Sequence, residues 1–273
     1  MSAITSRMVR KQSGRRRAGG RVGRGIVGVA VAVLAAQLLS VSGAISPTSL
    51  PPMFEVLGST GHLFVDPSFL REVLATIQAA VTGLAIATAI AVPAGLVLGS
   101  FRLLNQAASA VVEFLRPIPS VALIPLAILL FGQGAQMKVS LVVYASVWPI
   151  FFNTIYGVRD VEPLAKETAR IFRIPPLRVL THVLLPSAAP FVATGIRVAA
   201  AIALIVTISA ELLAGSADGL GAWILRMSSG GANLALVYAG TIFAGLLGLV
   251  VNWLLVRGEQ RLFRWRREGV GAA

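Results

Sequence analysis

The sequence predicts an all-α membrane protein with six transmembrane helices, and three observations carry that prediction. Of 273 residues, 56% are hydrophobic and only 13% charged, with a mean hydropathy of +0.82, against roughly 25% charged residues in soluble domains. Six apolar stretches approach the ~20 residues needed to cross ~30 Å of hydrocarbon. The basic residues, finally, are gathered onto one side of the implied topology.

The spans follow in order. Residues 1–24 form a basic tail, expected to be disordered, with eight Arg or Lys between Arg7 and Arg24. Residues 25–45 form the first span. The layout also resembles a signal peptide, with the small run Ser42-Gly43-Ala44, but about 20 apolar residues is long for a signal core. Residues 46–72 read as an external loop holding Pro47, Pro51, Pro52 and Pro67. The permease-like core, 73–256, begins with a second span over 73–100. Residues 101–116 read as a short mixed connector, and the weak point of the count is whether 101–131 is one span or an interfacial helix plus a short span. A proline-rich third span covers 117–131, a turn covers 132–138, and the fourth span is 139–158. A charged interior segment, 159–185, leads to the fifth span at 186–214. The connector 215–233 is glycine-rich and could be re-entrant, with Trp223 suited to a membrane interface. The sixth span is 234–256, and a second basic tail covers 257–273.

Six spans put both termini on one side. With the termini inside, the inner segments hold nineteen Arg or Lys: eight in the first tail, Arg102, five in the 159–185 loop and five in the last tail. The outer segments hold Arg71, Lys138 and Arg226. Basic tails beside apolar stretches suit an anionic lipid surface better than nucleic acid, so a bacterial inner-membrane location with cytoplasmic termini is expected.

The 159–186 segment carries the most information. Asp160 is placed to cap a helix with Pro163 in its first turn, where a missing N–H costs nothing. Val161, Leu164, Ala165, Thr168 and Phe172 fall on one helical face, and Glu162, Lys166 and Arg170 on another. Ile174-Pro175-Pro176 breaks this helix, and a second short helix is expected to stop at Pro186. Two amphipathic helices projecting from a membrane either pack on their own spans or dock in a partner's groove.

The run Glu167-Thr168-Ala169, three residues, Arg173, nine residues, then Val183-Leu184-Leu185-Pro186 resembles the cytoplasmic loop of binding-protein-dependent ABC importer permeases. That family's pattern is Glu-Ala-Ala, three residues, Gly, nine residues, Ile-x-Leu-Pro. The segment from Arg116 to Gly132, with Gly195-Ile196-Arg197, Ala210-Glu211 and Gly219-Leu220-Gly221, is similar to the nitrate/sulfonate/taurine-type subgroup. The resemblance implies that Glu167, Thr168, Ala169, Arg173, Leu185 and Pro186 form a coupling loop for an ATPase. It implies a permease homodimer, two copies of an ATP-binding subunit and an external substrate-binding protein. It further implies inward transport by alternating access of a small solute, such as a sulfonate, taurine, nitrate or a thiamine-precursor-like heterocycle. Arg173 stands where the family carries glycine, which puts the geometry of that turn in question.

No lysine lies in a P-loop context, so ATP is expected on the partner and no cofactor on this chain. With no cysteine and two histidines, no metal centre and no catalytic residue is expected. Membrane charges usually face the bundle interior. Arg197 and Glu211, fourteen residues apart on the fifth span, share a face about 21 Å apart along the axis. Both are candidates for lining a route, with Ser120, Pro125 and Thr207; each could equally pair with a neighbouring span. Glu113 and Arg116 read as a local pair. An ion-driven secondary transporter, which needs no docking loop, and a non-transporting membrane anchor or assembly subunit, which needs neither proline-interrupted spans nor buried charges, are the alternatives.

Overall fold

The computed structural model describes residues 24–25, 27–28, 30–42, 49–230 and 233–262. Both ends of the chain, including most of each basic tail, lie outside the described residues. Among the described residues all regular structure is helical.

The described part of the first span is α1 (Ala30–Val41), apolar and outward-facing. The region expected as an external loop holds a helix, α2 (Met53–Leu63). Gln37 of α1 accepts from the N–H of Met53 at 2.7 Å, so a span side chain satisfies the start of α2. The second span, α3 (Pro67–Ser100), begins six residues before the expected boundary. Asp66 caps it by accepting from the Ser68 N–H at 2.9 Å, and Pro67 occupies the first turn. The Ser68 hydroxyl, then its N–H, hold the Asp66 carboxyl below the usual range.

The connector at 101–116 is instead a helix, α4 (Arg102–Leu115). A 3-10 turn, Ser120–Leu123, leads into the eight-residue α5 (Ile124–Phe131). The axis bends by 76° between α4 and this second piece. The predicted single span at 117–131 is therefore a short helix after a break. The cause is local: Pro117 and Pro119 withhold the N–H groups that would continue α4. The remaining spans are α6 (Ala135–Arg159), α9 (Leu185–Ala214) and α11 (Leu234–Leu262). Among the described residues, four helices are long and apolar enough to cross a membrane, or five if the bent pair is counted as one span.

Between them lie α7 (Pro163–Ile171), α8 (Pro176–Val179) and α10 (Leu220–Ser229). The second loop helix does not stop at Pro186. A π-turn over Leu180–Leu184 carries α8 into α9, so that 176–214 runs as one helix. A widened turn lets Pro186 enter without the clash its ring would make with an α-helical carbonyl. The last span likewise continues through 257–262, residues expected in the tail.

The centre of the bundle is the triplet α3, α6 and α9. Glycine brings their backbones together: a Cβ on Gly95 would meet Thr154 at 2.7 Å, and one on Gly195 would meet the Ile150 Cα at 3.0 Å. Close approach at small residues is how helices associate where lipid gives no hydrophobic drive. One apolar cluster joins Ile124 and Ala127 of α5 to Met137, Leu141 and Val142 of α6 and to Ala203 and Ala210 of α9. At one end, Phe69 packs edge-on against Trp223 and Phe243, which docks α10 and α11 on α3. At the other end Leu96, Val158, Val161, Leu184 and Ala188 form the platform beneath α7 and α8. Leu74, Val81, Ile90, Leu249 and Leu254 are exposed around the bundle, the surface a lipid solvent covers.

Candidate functional site

The loop between α6 and α9 is fixed on one face and bare on the other. Asp160 sits at the C-terminal cap of α6, not at the start of α7 as its position suggested. Pro163 opens α7 as expected. Val161 and Ala169 are buried and Ala165 is half-buried. The predicted apolar face thus divides. Residues 161, 165 and 169 fasten the helix to the bundle, and Leu164 (65% exposed) and Phe172 (74%) point away from it. Ile171 and Leu177 are exposed beside them. The Lys166 ammonium donates to the Val158 carbonyl at 2.9 Å, satisfying an orphan acceptor near the end of α6. A cavity of about 320 Å³ lies beneath, lined by Ser100, Lys166, Ala169, Ile174 and Leu180 among others.

The turn between α7 and α8 is resolved by Arg173 itself. Its φ is 51°, the only positive φ at a non-glycine residue among those described. The Ile174 N–H donates back to the Ala169 carbonyl at 3.0 Å. This six-to-one bond over a left-handed residue is a Schellman ending, which ordinarily uses glycine. The turn is therefore kept in the left-handed form. Left-handed backbone costs a side-chain-bearing residue about 1–2 kcal/mol, so Arg173→Gly is expected to raise thermal stability modestly and Arg173→Val to lower it. A thermal unfolding midpoint for each variant in lipid nanodiscs checks this pair.

Glu167 and Thr168 are exposed, and the Thr168 hydroxyl donates to the Leu164 carbonyl. Leu185 is half-buried and Pro186 exposed at the start of α9. Glu167, Thr168, Ala169 and Arg173 thus stand on one projection, and Leu185 and Pro186 at its root.

The residues singled out within the spans do not gather into one site. Arg197 pairs with Glu259 of α11 at 2.9 Å, and the Thr194 hydroxyl reaches the same carboxylate at 3.3 Å. Glu211 is fully enclosed. It accepts from the Thr76 hydroxyl at 2.9 Å, from the Gly221 N–H at 2.9 Å and from the Lys138 ammonium at 3.3 Å. Of the two readings open for Arg197 and Glu211, these contacts match pairing with neighbouring elements: each is held by partners of its own protomer. Thr207 is also enclosed, its hydroxyl donating to the Ala203 carbonyl at 2.8 Å. Ser120 is half-buried at the bend, and Pro125 is exposed on α5. Glu113 and Arg116 do not pair; the Arg116 guanidinium lies over the Phe152 ring, 4.6 Å from its centre.

The charge cluster around Glu211 contains a member that sequence reasoning misplaced. Lys138 was counted as an external charge in a turn, yet it is 1% exposed in the first turn of α6. Its ammonium also donates to the Asp218 carboxylate at 3.0 Å and to the Asp218 carbonyl at 3.1 Å. Three N–H groups at the opening of α10 find oxygen partners: that of Gly219 on Glu72 at 2.6 Å, that of Leu220 on Thr76 at 2.8 Å, and that of Gly221 on Glu211. The Glu72 carboxylate also accepts from Arg226. Acceptors suit a helix N-terminus, where orphan donors and the dipole favour negative charge. The glycine-rich connector is therefore a docked helix whose first turn is held by carboxylates and a hydroxyl from α3 and α9.

A bundle that is all-helical among the described residues, with several long apolar helices and a protruding two-helix loop, defines a polytopic membrane protein. The chain belongs to the family of binding-protein-dependent transport system inner membrane components, whose profile matches residues 91–264. A putative ABC transporter permease of Methanocaldococcus jannaschii is 31% identical over 226 residues, 81% of this chain and 84% of that protein. A putative aliphatic sulfonates transport permease of Bacillus subtilis is 28% identical over 96% of this chain and 94% of its own. A nitrate import permease of Leptolyngbya laminosa is 27% identical over 74% and 75%. The fold is shared with a chain of a bacterial ABC transporter that imports alginate, with a TM-score of 0.65 at 13% identity, covering 95% of this chain and 99% of that one.

Proposed function

We propose that this chain is the membrane subunit of an ATP-driven importer and that 163–178 is the contact for its ATP-binding subunit. The observation that carries this is the divided loop. Its inner face is packed on the bundle, and Leu164, Ile171, Phe172 and Leu177 project together with nothing of the protomer to cover them. A short apolar ridge on a rigid base is what a groove on a partner would receive. ATP is bound and hydrolysed on that partner, and two copies of each chain make the complex. The loop then faces the cytoplasm, as the distribution of basic residues requires, and both termini share that side of a bacterial inner membrane. An external binding protein delivers the solute to the opposite end. Relatives named for nitrate and aliphatic sulfonates point to a small oxyanion. Closure of the ATPase pair pushes the ridge, and the platform of Val158, Val161, Leu184 and Ala188 transmits the push to α6 and α9, giving alternating access. Ser120 and Pro125, on the broken third span, line the route between two copies.

Replacing Phe172 by Asp puts a charge at the centre of the ridge. Loss of an aromatic anchor of about 2 kcal/mol or more corresponds to roughly thirtyfold weaker association. The co-expressed ATP-binding subunit should fail to co-purify with Phe172→Asp while the permease itself still inserts and purifies. Full retention of the ATPase would contradict the assignment.

A further inference from the structure

Helix α4 is turned opposite to a surface helix of a soluble protein. Leu103, Val111 and Phe114 lie on one stripe with Ala107 and Ala110, and that stripe is exposed: Leu103 is 81% and Phe114 74% accessible. The opposite stripe, with Asn105, Ser109, Glu113 and, one turn beyond, Arg116, faces α6. Between α4 and α6 is a crevice of about 220 Å³. Its polar wall carries Asn105, Ser109, Arg116 and, from the end of α6, Arg159; Phe151 and Ile155 contribute an apolar wall. The Tyr144 hydroxyl donates to the Leu115 carbonyl at 2.6 Å and fixes the upper end of α4 against α6, so the crevice has a defined shape.

Its charge is not balanced from within. Among the described residues neither Arg116 nor Arg159 has a carboxylate at ion-pair distance. Arg116 is held only by the Phe152 ring. Glu113 lines the same crevice, but one carboxylate stands against two guanidinium groups. Charged groups beside a membrane are kept where they find partners or water, and guanidinium is the cation best matched to planar or tetrahedral oxyanions.

We propose that the α4–α6 crevice is a binding site for an oxyanion, held by Arg116 and Arg159 with Asn105 as a secondary donor; the Ser109 hydroxyl on the same wall already donates to the Gln106 carbonyl at 2.7 Å. Two sources share this chemistry. One is the phosphate of an anionic phospholipid, its acyl chains against Phe151 and Ile155; basic pockets between helices on the cytoplasmic side suit such headgroups. The other is a free oxyanion in the aqueous phase. The placement at the cytoplasmic end rests on the topology proposed above.

The chain has no cysteine, so Ser109→Cys introduces a single thiol in the crevice. The full-length variant is reconstituted into phosphatidylcholine vesicles and its modification by a membrane-impermeant maleimide is timed. Inorganic phosphate is then added at constant ionic strength, or phosphatidylglycerol replaces part of the phosphatidylcholine. The expected result is at least about fivefold slower labelling, abolished by Arg159→Gln in the same background. Slowing by phosphate in neutral vesicles assigns a free oxyanion, and slowing only by phosphatidylglycerol assigns a lipid headgroup. A thiol that never reacts, labelling indifferent to both anions, or slowing that survives both Arg159→Gln and Arg116→Gln overturns the site. The side from which the maleimide reaches the thiol reports the orientation separately, so an inverted topology and an absent anion site give different results.

Discussion

Lys138→Met should lower the stability of the protomer by about 3–5 kcal/mol, the usual loss when one member of a buried pair is removed and the other charge stays behind. Glu211 has no access to solvent. Its carboxylate would keep the Thr76 and Gly221 donors but lose its only cation. Asp218, 56% exposed, would lose the same ammonium at far less cost. The measurement is a thermal unfolding midpoint in lipid nanodiscs, taken as a cycle with Glu211→Gln. The double variant should recover part of the loss, because a neutral amide no longer needs the ammonium. A double-variant loss equal to the sum of the Lys138→Met and Glu211→Gln losses would show that the two side chains do not stabilise one another.

The second large effect is expected at the start of α10. A Cβ on Gly221 would lie 2.4 Å from the Ile208 carbonyl oxygen and 2.8 Å from the Glu211 Cβ. The first of these neighbours is backbone and cannot rotate away. Gly221→Ala must therefore push α10 off α9, at the ~1–3 kcal/mol typical of overpacking. Displacement also takes the Gly221 N–H from Glu211, leaving a buried carboxylate short of a donor. Because Trp223 and Ile224 pack on Phe69 and Phe243, the shift reaches the α11 contact. The folded, monodisperse yield of Gly221→Ala should fall well below that of Gly230→Ala, whose added Cβ would make only ordinary contact with Arg226 at 3.4 Å. Equal yields would contradict the close packing.

How far these features can be seen in the sequence depends on whether the deciding contact is local. The long spans are legible because hydropathy over 20 residues is a local property. The spaced pattern marks Arg173 as the place where the turn geometry is in question, but arginine does not advertise the left-handed conformation found there. Helix α4 is legible only as one of two readings of 101–131, yet its signal is local: Leu103, Ala107, Ala110, Val111 and Phe114 recur at helical spacing. Charged and amide residues between them masked it from a search for continuous apolar runs. Lys138 was not legible. A lysine near the edge of a span reads alike whether it faces water or an interior carboxylate, and its partner is 73 positions away. The division of the loop's apolar residues was hidden for a similar reason. Val161 and Phe172 look equivalent on a helical wheel until the platform of Leu96, Val158 and Leu184 selects one of them.

The central claim is that the exposed ridge of the 163–178 loop is where the ATPase sits. Phe172→Cys makes the ridge the only thiol on this chain, and a second variant, Leu249→Cys, places one on the exposed side of α11. Each is co-expressed with the ATP-binding subunit in membranes and treated with a short thiol-to-amine crosslinker. Phe172→Cys should give a permease–ATPase adduct that changes in yield when a non-hydrolysable ATP analogue is added, and Leu249→Cys should give none. No adduct from Phe172→Cys in any nucleotide state, with both chains present and folded, would contradict it.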